Sequence, residues 1–225
     1  MQPKISVIIP SYNNASFLHE AIACIFAQDY CDIEVIIVDD GSTDDTLMIL
    51  SQIKNIRYYT IPHAGAGAAR NYGIQQARGT YLAFLDADDL WPAGKLKQQI
   101  AYLITHGLDA VFTSIVQFLE PHILDKRIKP NREVMSGLCA STMLIKKDSF
   151  LEIGFFKTSY YLGEFIEWFM RAKQYGLKFE VLHDIITKRR IHGANTSLNH
   201  KMHKKDYLSI ITSSLRERNK DATFD

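Results

Sequence analysis

Short unbroken apolar runs alternate along this chain with segments whose apolar residues recur every three or four positions. The run KISVIIP (4–10) is rich in β-branched residues and closed by Pro10, the pattern of a strand buried on both faces. From Ala15 to Gln28 the apolar pairs Phe17/Leu18, Ala21/Ile22 and Ile25/Phe26 fall on one helical face. IEVIIVDDGSTDDTLMIL (33–50) repeats the plan: a buried strand, then Ser42 with Asp45 three residues later, a capping-box-like helix start. A third round follows, with IRYYTI as a strand, GAGAARNYGIQQA as a glycine-rich entry into a helix, and TYLAFLDADD as a strand ending in acid. Strands alternating with helices predict an α/β fold with an open, mostly parallel sheet, right-handed crossovers and flanking helices.

After Leu90 the regularity loosens. The pattern predicts a helix over Lys95–His106, a strand through DAVFTSIVQFLE, a loop from Pro121 to Ser136 and a strand through LCASTMLI. GEFIEWFMRAKQYG reads as a helix with Phe165, Trp168/Phe169 and Ala172 on one face, closed by Gly176. A strand through KFEVLHDIITKRRI comes next, and the polar, basic end carries one terminal helix through DYLSIITSSLRER.

With 225 residues, 47% of them hydrophobic, one large core is within reach. The 26 basic and 25 acidic side chains nearly cancel, which removes a whole-molecule electrostatic case for nucleic acid. Cys24, Cys31 and Cys139 have no metal-ligand spacing and read as free thiols in a reducing compartment. The apolar run at the N-terminus is too short for a signal sequence, and no window reaches membrane-span length. The expectation is a soluble cytoplasmic protein whose contact with a membrane, if any, is peripheral; HKKDY near the end is read first as a solvated charged face.

In open α/β sheets ligands bind beyond the carboxyl ends of the strands. Here PSYNN, DDGS, PHAGAGAARN and DADD, all polar, follow four successive strands. A dinucleotide fold is disfavoured because no glycine lies between Ile5 and Asp40, and no G-x-x-x-x-G-K-[ST] loop exists. Asp86, Asp88 and Asp89 repel one another at a strand end; a divalent cation with hard oxygen ligands, Mn²⁺ or Mg²⁺, resolves this. The alternative is that Asp88 and Asp89 cap the next helix.

These residues together, in ISVIIPSYNNASFLHEAIACIFAQDY, IEVIIVDDGSTDDT and GAGAARNYGIQQARGTYLAFLDADDLWPAGKL, resemble the nucleotide-sugar-binding half of family 2 glycosyltransferases. The likeness runs from Lys4 to about Gln99 and thins beyond Ile100. It implies a GT-A fold, a Rossmann-like mixed sheet with a smaller C-terminal acceptor-side portion. Residues 1–100 would form the nucleotide-sugar-binding half, 101–200 the acceptor-binding half and 201–225 a terminal helix and tail. It further implies a UDP-sugar donor, with Pro10, Tyr12 and Asn13 by the nucleoside, Asp40 accepting the uracil N–H, and Asp39 steadying the loop. Arg70 would reach the base or the diphosphate with Asn71 nearby. Asp86 would lie on the ribose side, Ala87 would be among the substrate-binding residues, and Asp88 would ligate the metal as the second acid of the D-x-D motif.

Inverting members of that family carry a Glu-Asp pair at a helix start, seven residues before an Arg, with the Asp as general base. Glu164 lies seven before Arg171, but the Asp position is Phe165, which takes no proton. Glu164 and Glu167 are the remaining candidates, Glu164 favoured because it follows Gly163 at the helix entry. KRRIHGANTS resembles the late family element that closes over the diphosphate, with His192 as a second metal ligand or diphosphate contact and Arg190 as an anion partner. The resulting expectation is a metal-dependent inverting glycosyltransferase acting on a carbohydrate, lipid-linked or peptide acceptor. Its rivals are a catalytically impaired nucleotide-sugar-binding protein and a metal-dependent nucleotide-sugar hydrolase or pyrophosphorylase. The sequence is silent on the sugar, the acceptor and the oligomeric state.

Overall fold

The computed structural model describes residues 3–120, 130–160, 162–193, 195, 209, 210 and 212. Four strands come first, β1 (Ile5–Ser11), β2 (Ile33–Asp39), β3 (Ile56–Thr60) and β4 (Tyr81–Phe84). They alternate with helices α1 (Ala15–Phe26), α2 (Thr46–Gln52) and α3 (Ala66–Gln76). All four strands are parallel, with β1 between β2 and β4 and β3 outside β2. After α4 (Lys95–Thr105) come β5 (Ala110–Leu119), β6 (Met135–Ser136), β7 (Leu144–Lys146), α5 (Lys147–Ile153), α6 (Glu164–Gln174) and β8 (Phe179–Ile191). The short β7 splices the halves into one sheet by pairing antiparallel with both β4 and β5, and β8 runs parallel to β5 along its length. The fold is therefore the expected α/β arrangement, a mixed, mostly parallel sheet flanked by helices.

Two cores follow from the two-residue period of the strands. Ile5, Val7 and Ile9 of β1 face Leu18, Ile22 and Ile25 of α1, Leu50 of α2, and Leu96, Ile100 and Leu103 of α4. Ile8 faces the other way, with Ile36, Val38 and Phe84, toward Ala69 and Ile74 of α3, Phe150 of α5, and Phe165 and Trp168 of α6. At Gly73 a Cβ would sit 2.5 Å from Ile8 Cγ2, so α3 packs on the sheet at backbone distance. Burial of apolar area on both faces contributes about 25 cal/mol per Å², and the sheet lies between two helical layers.

Several local expectations change. LCASTMLI is not one strand: Ala140–Thr142 form a 3-10 turn and only Leu144–Lys146 pair in the sheet. Thr142 Oγ1 donates to Cys139 O at 2.9 Å, a local bond that competes with strand pairing. The Ser42/Asp45 capping box does not form; Asp44 Oδ1 instead accepts Thr46 N–H at 3.1 Å, and Ser42 Oγ accepts Asn13 N–H at 2.8 Å. Asp89 does not cap α4, whose N-cap is Gly94 at φ 74°. Helix α5, KDSFLEI, has no counterpart in the sequence reading because seven residues show too little periodicity. Of the expected 121–136 loop, residues 121–129 lie outside the described residues, as does most of the terminal helix and tail. Among the described residues no helix is long and apolar enough to cross a membrane.

Candidate active site

The carboxyl ends of β1, β2 and β4 deliver one group of side chains, α6 and the end of β8 another. At the tip of β2, Asp39 and Asp40 are both buried but differ in what they hold. Asp40 Oδ1 and Oδ2 accept Ala64 N–H and Gly65 N–H, each at 2.8 Å, and His63 Nδ1 lies 2.8 Å from Oδ2. Asp40 therefore shapes the loop that enters α3. Asp39 Oδ2 accepts Ser42 N–H at 3.2 Å, while its Oδ1 is buried with no partner among the described residues. Both Asp40 oxygens thus already carry backbone donors, whereas one Asp39 oxygen does not.

Tyr12 follows β1, 41% exposed, and stacks on His63 with ring centroids 4.1 Å apart. Pro10 is in the sheet opposite Val38 and Ala87 is in the core. Asn13, at φ 52°, spends its side chain on the α2 entry, Oδ1 accepting Thr43 N–H at 2.8 Å and Asp44 N–H at 3.3 Å. It orders the site loop rather than presenting a free amide oxygen.

Helix α3 turns one face, Gly67, Arg70 and Asn71, toward the second half of the chain. Arg70 Nη2 donates to Asp86 Oδ1 and Nη1 to Glu164 Oε1, both at 2.6 Å. Its guanidinium is buried, 6.0 Å from the Phe156 ring centroid, and Nε has no partner among the described residues. Burial alone works against that charge, yet the Asp86 and Glu164 carboxylates raise its pKa further. Both ends of the Asn71 amide are engaged within the chain: its Nδ2 donates to Phe156 O at 2.8 Å and its Oδ1 accepts Phe156 N–H at 3.0 Å. Asp86 backbone N–H donates to Ser141 Oγ at 3.0 Å. Burial opposes ionisation of Asp86, but Arg70 and the bonds from Arg70 and Ser141 outweigh it and hold its carboxyl below the usual range.

At the N-terminus of α6 the structure separates the two glutamates. Glu164 faces Arg70, with Gly67 beneath it: a Cβ at 67 would lie 3.2 Å from Glu164 Cγ. Glu167 is buried in a knot with Lys157 Nζ at 2.8 Å and Arg171 Nε at 3.0 Å, and Arg171 also donates to Phe155 O. Burial opposes its charge, and the bonds from Arg171 and Lys157 more than compensate, lowering its pKa. Phe165 points into the core, its ring 6.1 Å from Phe112 and 5.9 Å from Phe169.

The end of β8 closes over β4. His192 Nε2 lies 3.0 Å from Asp88 Oδ2, Asn195 Nδ2 donates to the same oxygen at 3.1 Å, and Asn195 Oδ1 accepts His192 N–H at 2.6 Å. Asp89 Oδ1 accepts Arg190 N–H at 3.1 Å. Burial, then the charges of Asp88 and Asp86, push its carboxyl well above the usual range. Arg190 is not a free anion partner. Its guanidinium lies between Phe17 and Phe118 and bonds Asp88 O at 2.8 Å, Glu20 Oε2 at 2.6 Å and Glu120 Oε1. Sequence reasoning missed Glu20, Glu120 and Ser141, which carry no motif, and passed over Asn195 within GANTS.

Asp88 Oδ2 and His192 Nε2, a carboxylate and an imidazole that meet at one point, are of the donor types that divalent ions take. Among the described residues no three His, Cys, Asp or Glu converge on one point.

The family model described as Glycosyl transferase family 2 matches residues 6–158. A relative from Rickettsia typhi, named as an uncharacterized glycosyltransferase, is 33% identical, the match covering 88% of this chain and 68% of the relative. The Escherichia coli UDP-Glc:alpha-D-GlcNAc-diphosphoundecaprenol beta-1,3-glucosyltransferase WfaP is 29% identical over 87% of this chain and 80% of its own. Among solved structures, Staphylococcus aureus TarS 1–349 in complex with UDP-GlcNAc superposes with a TM-score of 0.78 at 22% identity, covering 94% of this chain and 65% of that one. The mannosyltransferase PcManGT from Pyrobaculum calidifontis, in complex with GDP-Man and Mn²⁺, gives 0.66 at 20% identity over 87% of this chain and 59% of its own. The chain spans 37% of a longer TarS chain, at a TM-score of 0.70 and 24% identity. These likenesses establish the GT-A fold.

Proposed function

The chain belongs to glycosyl transferase family 2, and from that premise we propose that it moves a sugar from a nucleoside diphosphate sugar, in first place a UDP-sugar, to a hydroxyl acceptor with inversion at the anomeric carbon. The observation that carries this reading is the meeting of a donor-half acid, Asp86, and an acceptor-half acid, Glu164, on one guanidinium, Arg70. The names of WfaP and the UDP-GlcNAc complex of TarS support a uridine nucleotide.

Each group has a task in this reading. Asp39 Oδ1 accepts the N–H of the base, which then satisfies a buried oxygen. The base stacks on the outer face of the exposed Tyr12 ring, whose other face covers His63. Glu164 takes the proton of the acceptor hydroxyl as its oxygen bonds to C1. The bond from C1 to the diphosphate breaks, its electron pair leaving on the phosphate oxygen. Asp88 and His192 would hold Mn²⁺ or Mg²⁺, which would supply positive charge against the departing diphosphate. Glu167 holds Arg171 and Lys157 and so fixes the α6 entry rather than moving a proton. Phe165 prompted the rival reading of an impaired sugar-nucleotide binder; with its ring in the core and Glu164 directed at Arg70, the catalytic reading takes precedence.

The test is UDP or GDP release from UDP-glucose, UDP-GlcNAc and GDP-mannose, beside calorimetry with UDP in the presence and absence of Mn²⁺. Turnover of a UDP-sugar to a product of inverted anomeric configuration is expected. UDP binding without turnover of any donor would return the impaired reading.

A further inference from the structure

We infer that Arg70 is a positioning residue that ties the donor side of the site to the acceptor side, setting Glu164 in place through the same guanidinium that holds Asp86. This rests on Glu164 being the base. The two carboxylates reach it from opposite halves of the chain: Asp86 from the tip of β4, sixteen residues on, and Glu164 from the first turn of α6, ninety-four residues on. Both bonds are 2.6 Å, the short length of charge-assisted pairs.

The surroundings are built for this contact. Gly67, Arg70 and Asn71 stand at i, i+3 and i+4, so they share one face of α3. Gly67 leaves room for the Glu164 stem and Asn71 clasps the Phe156 backbone with both ends of its amide. Arg70 lies between them with Phe156 against its guanidinium. The face therefore docks the segment leading into α6 and fixes where Glu164 emerges. One end of the guanidinium touches an acid beside the D-x-D metal position, so a change on the donor side is felt at Glu164 through two bonds and a rigid plane.

Coupling of this kind has a signature that simple packing lacks. If Arg70 acts on turnover through Glu164, its removal costs kcat only while Glu164 is present. The experiment measures kcat for UDP release from UDP-glucose and UDP-GlcNAc with water as acceptor, and UDP affinity by calorimetry. The variants are Arg70→Gln, Arg70→Lys, Glu164→Gln and Arg70→Gln/Glu164→Gln. Arg70→Gln is expected to lower kcat about 10- to 100-fold in the native background and less than about twofold in Glu164→Gln. Its effect on UDP affinity, exerted through Asp86, is expected to be equal in both. Where the Glu164→Gln rate is too low to measure, Glu164→Asp takes its place, and the Arg70→Gln penalty is again expected to shrink.

Arg70→Lys keeps a cation but not the two-pronged plane, and guards against a fold defect in Arg70→Gln. It is expected to retain UDP affinity or kcat but not both. Equal kcat penalties for Arg70→Gln in both backgrounds, or native kcat and affinity in Arg70→Lys, would overturn the coupling. Native kcat in Glu164→Gln would instead remove Glu164 as the base, a different failure read from a different variant.

Discussion

Asp88 Oδ2 and His192 Nε2 lie 3.0 Å apart although 104 residues separate them in the chain. The contact joins the tip of a central parallel strand to the end of the last strand, and Asn195 and Arg190 reinforce it from the same segment, one through the Asp88 carboxylate and the other through its carbonyl. A carboxylate and an imidazole that meet in this way are the donor types a divalent cation would take in place of their mutual contact.

The first prediction concerns that exchange. UDP affinity measured by calorimetry should rise with Mn²⁺ in the native protein, and Asp88→Ala or His192→Ala should each remove at least about tenfold of that gain. UDP affinity without Mn²⁺ should stay near native in both variants, because the nucleoside contacts proposed above lie at the tips of the first two strands. A native protein whose UDP affinity ignores Mn²⁺ would defeat the metal assignment.

A second prediction separates the two glutamates of α6. Glu164→Gln should lower kcat by about 10²-fold or more while leaving the melting temperature close to native. Glu167→Gln should do the reverse. It leaves the half-exposed Lys157 and the partly buried Arg171 without their shared anionic partner, so unfolding should show a loss of about 1–2 kcal/mol with kcat reduced far less. Equal kcat losses in the two variants would show that the helix entry, not a proton acceptor, is being probed.

Much of this was legible in the chain. Parallel strands buried on both faces read as unbroken apolar runs, and amphipathic helices repeat every three to four residues, so the first β-α units and the polar strand tips stand out. What stayed hidden depends on partners far away. Which acid of the Asp39/Asp40 pair keeps an open oxygen is decided by Ala64 N–H and Gly65 N–H, more than twenty residues on. Arg190 looks like a free cation until Glu20, 170 residues earlier, is found on it. Phe165 could be aligned with a family acid by position, but the helix rotates about 100° per residue, so neighbours at 164 and 165 face different surroundings.

That rotation supplies a third prediction. Installing the family acid as Phe165→Asp should not add a base, because the side chain would enter the ring cluster of Phe112, Trp168 and Phe169. It should instead destabilise the fold by about 3–5 kcal/mol, from a lost aromatic ring and a buried unpaired carboxyl. Urea unfolding measures the loss, and kcat of the folded fraction should not exceed native. A stable and more active Phe165→Asp would mean that α6 turns its next residue to the cleft.

The last prediction concerns a cation the reaction does not use. Lys95 is fully buried at the start of α4, its Nζ donating to Gln99 Oε1 at 2.7 Å and lying 3.9 Å from the Trp91 ring centroid. Burial lowers its pKa from 10.5 to about 7, with neighbouring Cys139 and Cys24 opposing that shift. Between about pH 7 and 10.5 the unfolded chain therefore binds a proton that the folded chain does not, so this residue makes stability rise with pH across that window. Below about pH 7 both states are protonated and the full cost of burying the cation is present. Each pH unit inside the window should change the folding equilibrium constant by up to roughly tenfold through this one group. Lys95→Met keeps most of the stem volume and removes the charge, so the difference in unfolding free energy between the two proteins isolates the lysine from every carboxylate that titrates nearby. The variant should be the more stable one at pH 7, and its advantage should shrink as pH rises toward 10. An advantage independent of pH would show that Lys95 is equally protonated in both states and that the gain comes from packing alone.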